Sequence, residues 1–287
     1  NGDEVAHLNR GAELKENFYP IPPKTIRKGK NQFKLQCNTT TDDITIGEVQ
    51  VIPQSFRELK RLGTLKLEVR NLETKKQIPA RVTILDKEGN LPPLYYSMPA
   101  LTPTRNGIVY PPFGTCSVEI PEGEYEVWAS HGTEWGVNSQ TVTVHFAKEA
   151  SASLAISKEV DTTGFVATDT HIHTLTYSGH GDSSVEERQV TLAAEGVELP
   201  VATDHNHNTD YAPFQEELGY TNWFTPVVGN EVTTPIGHFN AFPLNSKDSV
   251  PPHKNFATEK PEDWSNLIHG IREKGAKAII LNHPRWP

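Results

Sequence analysis

The sequence predicts two architectures in succession, a β-sandwich and then an α/β region in which strands alternate with helices. Three observations predict it. Apolar residues recur with period two from Gly63 to Ile156, the signature of half-buried strands. After Val160-Asp161-Thr162 the rhythm changes to helical periods separated by short apolar runs, as expected of strands that feed helices. In that second stretch the strand ends carry histidine or acid, and α/β barrels gather their polar groups at the carboxyl ends of their strands.

At 287 residues the chain can hold two domains, each with its own core. A hydrophobic fraction of 36% with 22 prolines and 20 glycines suits a turn-rich folded protein rather than a disordered one. The formal charge of −9 offers no basic surface to neutralise a phosphate backbone, so no nucleic-acid partner is expected. No membrane span is expected either. The longest apolar run, Ala278-Ile279-Ile280-Leu281, falls far short of the ~20 residues a span needs. The sequence starts at Asn1 without a hydrophobic leader and reads as a processed or trimmed product; its compartment is left open, with export, periplasmic or extracellular, favoured. Cys37 and Cys116 fit either one disulfide in such a protein or two buried thiols.

Residues 1–61 form an irregular segment. Phe33, Leu35 and Cys37 alternate, as do Ile46, Val49 and Val51 less cleanly, predicting one or two strands. The sandwich is expected over 62–158. Leu65, Leu67 and Val69 alternate with polar residues, as do Ala80, Val82 and Ile84 before the Asp86-to-Asn90 turn. Cys116, Val118 and Ile120 lead into a second turn, after which Tyr125, Val127 and Ala129 resume the alternation, followed by Val142, Val144 and Phe146 and then Leu154 and Ile156. This predicts six or seven antiparallel strands. The run Pro121-Glu122-Gly123-Glu124-Tyr125-Glu126-Val127 resembles accessory sandwiches of transthyretin-like or carboxypeptidase-regulatory type, which implies a positioning module. Trp128, His131 and Trp135 are expected to close the sandwich as packed aromatics.

The α/β region is expected over 164–287. Ser183 and Ser184 offer N-caps with Glu186 and Glu187 three residues on, predicting a helix that runs to Glu195 and stops at Gly196. A buried strand over 199–203 then delivers Asp204, His205, Asn206 and His207. A strand over 225–228 ends in Gly229-Asn230-Glu231. Trp264, Leu267, Ile268 and Ile271 fall at helical spacing before Gly275, and a strand over 278–281 ends in Asn282-His283-Pro284-Arg285.

The chemistry-bearing stretch is Thr168-Asp169-Thr170-His171-Ile172-His173. In an extended segment His171 and His173 point to the same side, so both imidazoles can meet one ion. Nine of the twelve histidines lie between His171 and His283. Histidine interspersed with carboxylate is the ligand mix for Zn, Mn or Fe.

Asp169-Thr-His171-Ile-His173, Thr203-Asp204-His205, Gly229-Asn230-Glu231 with Gly237-His238, and Asn282-His283-Pro284 together resemble the polymerase-and-histidinol-phosphatase (PHP) metallohydrolases, most of all their carbaryl-hydrolase-like branch. The resemblance implies a distorted (β/α)7 barrel with two or three divalent ions, hydrolysing an ester of a small molecule through a metal-bridged hydroxide. It implies His171 and His173 on a first ion, Glu231 bridging to a second that His238 and His283 also hold, and His205 on a third. His180 is preferred to Asp182 as a further ligand. Asp169 and Asp204 would orient imidazoles. His180 or His207 would protonate the leaving oxygen, and Arg285 would stabilise developing charge; His253 and His269 read as surface residues. A final Asp-x-His of the family pattern does not occur before Pro287. The barrel is therefore expected to be truncated, its remainder supplied by a C-terminal segment or a second polypeptide. Phosphoesters are the expected substrates. The alternatives are a carboxylic or carbamate ester hydrolase using the same site, and a non-catalytic binding or scaffold protein. A His-Asn-His nuclease reading of residues 205–207 lacks the ββα context it needs.

Overall fold

The computed structural model describes residues 19, 21, 25–34, 49–234, 237–247 and 260–283. It divides into two compact units, Asn1–Arg61 and Leu62–Pro287. In the first, the short helix α1 (Phe56–Leu59) is held by a reciprocal cap: Ser55 accepts from the Glu58 backbone N–H and Glu58 from that of Ser55. Phe33, Val49 and Val51, expected in strands, are irregular and exposed; Leu35, Cys37 and Ile46 lie outside the described residues.

The second unit begins with nine strands: β1 (Leu62–Asn71), β2 (Arg81–Asp86), β3 (Tyr95–Met98), β4 (Thr104–Arg105), β5 (Ile108–Val109), β6 (Thr115–Pro121), β7 (Gly123–Ser130), β8 (Asn138–Val144) and β9 (Glu149–Ile156). They form two sheets, β3-β6-β1-β9 and β4-β5-β2-β7-β8. The alternating apolar residues of both, among them Leu65, Val69, Val82, Ile84, Val118 and Val127, meet in one core, as two inward sheet faces must. Two features depart from the expectation of six or seven antiparallel strands. The short strands β3, β4 and β5 carry too few residues to show a period. β9 runs parallel to β1 because the chain crosses to the other sheet for β7 and β8 before returning. Cys116 is buried in this core, where burial pushes its thiol up to about 12.

The rest of the unit comprises β10 (Thr168–Ile172), α2 (Leu175–Ser178), α3 (Val185–Ala194), β11 (Leu199–Ala202), α4 (Ala212–Leu218), β12 (Val227–Val228), β13 (Asn230–Thr234), β14 (Gly237–Phe242), α5 (Pro261–Glu273) and β15 (Ala278–Asn282). Ser184 caps α3 by accepting from the Glu187 N–H, and α5 buries Leu267 and Ile271 against Val232, Phe239 and Ala241. β10, β11 and β12 make a parallel sheet. The remaining strands differ from the expected run of parallel strands. At Gly229 the backbone closes onto β11, where an added Cβ would lie 2.8 Å from the Ala202 carbonyl. The chain then starts a new strand, and β13, β14 and β15 pair antiparallel. Among the described residues there are two three-stranded sheets here and no closed barrel.

The sandwich packs directly onto this α/β part. Tyr110 donates to Glu195 (3.0 Å), Phe113 stacks on Tyr220 with centroids 4.6 Å apart, and Trp223 packs against both cores. Gly132 meets the end of α3 so closely that a Cβ there would fall 2.4 Å from the Glu195 carbonyl. His131 and Trp135 lie at this junction, their rings edge to face at 4.9 Å.

Candidate metal centre

The site is built around one carboxylate. Glu231, the second residue of β13, is 0% exposed, and five imidazoles from four segments converge on it. His171 is on β10 beside an irregularity in its pairing with β11. His173 follows β10 directly, and His205 follows β11 and bridges to Glu231. His238 is on β14 opposite Thr233, and His283 follows β15 with a φ of 47°. Glu231 Oε2 lies 3.0 Å from His173 Nε2, 3.1 Å from His205 Nδ1 and 3.5 Å from His171 Nε2. Its Oε1 lies 3.1 Å from His238 Nδ1 and 3.6 Å from His283 Nε2, and accepts from Asn282 Nδ2 at 3.0 Å.

These separations fit shared ions. Two donors each about 2.1 Å from one ion stand roughly 3.0 Å apart at a right angle and roughly 3.4 Å apart at the tetrahedral angle. His171 Nε2 and His173 Nε2 are 3.1 Å apart. Oε2 is buried without a properly directed hydrogen bond although three ring nitrogens surround it, so it is an orphan acceptor that a cation would satisfy. The donor atoms fall into three groups, His171/Glu231/His283, His205/Glu231/His238 and His173/His180/His205, each within 4.8 Å. Burial alone would raise the Glu231 carboxyl, but the close approach of His173, the hydrogen bond from Asn282 and the neighbouring His205 and His171 rings hold it well below the usual carboxylate range. Burial lowers His171 and His205 below the ordinary imidazole value despite the pull of Glu231. Neutral imidazoles keep a lone pair for a metal.

Asp204 organises the imidazoles through hydroxyls. It is 0% exposed. Its Oδ1 accepts from the Thr174 N–H (2.7 Å), the Thr174 hydroxyl (2.9 Å) and the Ser178 hydroxyl (2.7 Å), and its Oδ2 from the Thr209 hydroxyl (2.9 Å). Because Ser178 donates to Asp204, its oxygen accepts from His173 Nδ1 (3.2 Å), which leaves Nε2 as the lone pair facing Glu231. Thr209 does the same for His207 Nδ1 (2.8 Å). Thr233 donates to the Glu231 carbonyl and accepts from His205 Nδ1 (2.7 Å). Such fixing of tautomers is what metal-binding histidines require of their surroundings.

The other predicted residues are placed as follows. His180 is exposed in the loop after α2, its ring 5.1 Å from that of His173 and 4.9 Å from that of His205. Asp182, the alternative to His180, is engaged by Arg105 of the sandwich. His207 stacks on Tyr177 at 4.2 Å, at the rim and outside the three groups. Asp169 accepts from the His171 backbone N–H (3.0 Å), so it holds the strand end rather than a ring. His269 is exposed and pairs with Glu273. His253, Pro284 and Arg285 lie outside the described residues.

Sequence reasoning missed two asparagines. Asn282 bonds both Glu231 Oε1 and Asn240 Oδ1 (2.6 Å), and Asn240 donates to the Thr170 carbonyl (2.7 Å). The available signal was period two: Asn240 shares a face of β14 with His238. Ser178, Thr209 and Thr233 carried no signal, since hydroxyl residues abound on any surface. No protein-family model matches the chain, and no curated protein matches it.

Proposed function

We propose that the chain is a metal-dependent hydrolase of PHP type that cleaves a phosphoester of a small molecule, and that its two α/β sheets are part of a distorted (β/α)7 barrel. One observation carries the reading: a buried Glu231 whose carboxyl oxygens have five imidazole nitrogens within 3.0–3.6 Å. His171, Glu231 and His283 would hold one divalent ion, Glu231 would be shared with His238 at a second, and His173, His180 and His205 would hold a third. Zn, Mn or Fe suits this donor set. When bound, such ions activate water at neutral pH and polarise the ester oxygens.

Charge favours a phosphoryl substrate. Glu231 is the carboxylate common to two of the three donor groups, while Asp204 is saturated by four donors. Neutral imidazoles and one carboxylate leave two or three dications strongly uncompensated, which favours an anionic group in the site. Ser178 and Thr233 hold the rings so that binding costs little reorganisation. His207, with Nδ1 engaged by Thr209, has Nε2 available to carry a proton to the leaving oxygen. The barrel reading is supported by the two links that lace the sheets together, Asn240 to the Thr170 carbonyl and the His205–Glu231 bridge.

The test strips the protein with a chelator, restores Mn, Zn or Fe, and assays p-nitrophenyl phosphate, bis(p-nitrophenyl) phosphate and p-nitrophenyl acetate. Metal-dependent release from a phosphate ester, lost in Glu231→Gln together with bound metal, is expected. Turnover of the acetate alone would move the assignment to carboxylic or carbamate esters. A protein that binds no metal and turns over nothing after reconstitution would overturn the enzyme reading in favour of a scaffold.

A further inference from the structure

The third donor group differs from the other two in how it is delivered. His173 and His205 follow directly on β10 and β11, whereas His180 belongs to a loop between two glycines of positive φ, Gly179 (+72°) and Gly181 (+90°). No atom approaches within 4 Å of where a Cβ would stand at either glycine. Such a segment has wide conformational freedom, so its ring needs an external hold. The hold comes from the sandwich. On β4, Arg105 Nε donates to Asp182 Oδ2 at 2.9 Å, its Nη2 donates to the Asp182 carbonyl, and the same Nη2 reaches Glu187 Oε2 on α3 at 3.3 Å. Arg105 Nη1 donates to the Thr104 carbonyl at 2.8 Å, which fixes the plane of the fork.

We propose that Arg105 is a positioning residue for the His173/His180/His205 ion site. The guanidinium pins the backbone two residues after His180 to α3 and withdraws the Asp182 carboxylate from competition for the ion. The sandwich thereby completes a ligand set that the α/β part alone leaves loose. This inference rests on the metal reading above. It differs from a simple junction salt bridge in its consequence. Asp182 is 71% exposed and Arg105 36%, and exposed pairs of this kind contribute little to stability, so the effect belongs to metal binding rather than to folding.

The experiment uses the full chain, with Mn and Zn as the probes, and counts bound ions and their affinities by equilibrium dialysis with elemental analysis, alongside thermal melting. Arg105→Ala is expected to weaken by about 10–100-fold the ion that His180→Ala loses. The other ions and the melting temperature of the metal-free chain should be unchanged. The double variant should match His180→Ala alone, since one residue acts through the other, and Arg105→Lys should restore part of the affinity. If Arg105→Ala fails to fold, Asp182→Asn makes the same measurement from the other partner. Three results would overturn the inference while leaving the metal reading intact: wild-type affinity for every ion in Arg105→Ala, an equal loss of all ions, or no loss in His180→Ala. A wild-type chain that binds no ion would overturn both.

Discussion

Replacing Asp204 by asparagine removes a charge without removing a side chain, and the geometry sets both the size and the pattern of the response. Oδ1 accepts three hydrogen bonds and Oδ2 one. An amide can keep the three by placing its oxygen at Oδ1, which puts its NH2 where Oδ2 faced the Thr209 hydroxyl. Hydrogen bonds to a charged acceptor contribute roughly 1.5–3 kcal/mol against roughly 0.5–1.5 for a neutral one, so three weakened bonds cost on the order of 3 kcal/mol. Relief of the carboxylate's desolvation reduces this to about 2–3 kcal/mol. For a unit of this size that lowers Tm by about 5–10 °C. The pattern is more specific than the magnitude. Thr209, now facing a donor, must accept from the amide and turn its own proton towards His207 Nδ1, 2.8 Å away. His207 should therefore move its proton from Nδ1 to Nε2, while His173 keeps its Nδ1 proton through Ser178. Calorimetry and long-range nitrogen–proton NMR of the two rings test both expectations. A variant that melts within about 2 °C of wild type with the His207 tautomer unchanged would refute the hydroxyl relay.

Two further outcomes follow from the junction between sandwich and α/β part. Gly132→Ala places a Cβ 2.4 Å from the Glu195 carbonyl at a φ of +68°; left-handed strain of roughly 1–2 kcal/mol plus backbone displacement should cost at least about 2–3 kcal/mol, and an unchanged melting curve would contradict the described contact. His131 is 7% exposed, and burial holds its pKa below the usual 6.5 although the Pro79 and Ala194 backbone, Glu195 and Glu134 pull it upwards. The folded imidazole binds its proton more weakly than the unfolded one, so over this range the unfolded chain holds more protons. The stability it contributes is fully present above 6.5 and is lost as pH falls through the folded value. A plot of Tm against pH should be shallower over this window in His131→Gln than in wild type, and parallel curves would contradict it.

The parts of the fold legible in the sequence are those where one face is buried and the other wet. Leu65, Leu67 and Val69 read as a strand because the sheet they line has only one core side. Ser184, Gly196 and Gly275 marked helix ends because capping is local. The β13–β14 hairpin was hidden, since Asn230, Glu231 and Asn240 are buried polar residues that break the alternation at the positions that matter. The parallel pairing of β1 with β9 joins residues too far apart for any local pattern to report. At the site, histidine stands out because it is uncommon and was clustered at strand ends. Ser178 and Thr209 did not, because what distinguishes them is a contact with Asp204 made through the tertiary fold. Asp169 shows the converse: its place beside His171 suggested a partner for a ring, yet its carboxylate is spent on the next turn of backbone.

The close seat of the sandwich on the end of α3 bears on how the molecule responds to proteases. Between Val160 and Val166 the chain is mostly exposed, with Phe165 at 82%, and such exposed connections are the first to be nicked. Yet the halves joined by this stretch share Trp223 between their cores, the Phe113–Tyr220 stack and the Tyr110–Glu195 hydrogen bond. A single cut there would leave two fragments that still elute together, and the covalent link would prove dispensable to the assembly it spans.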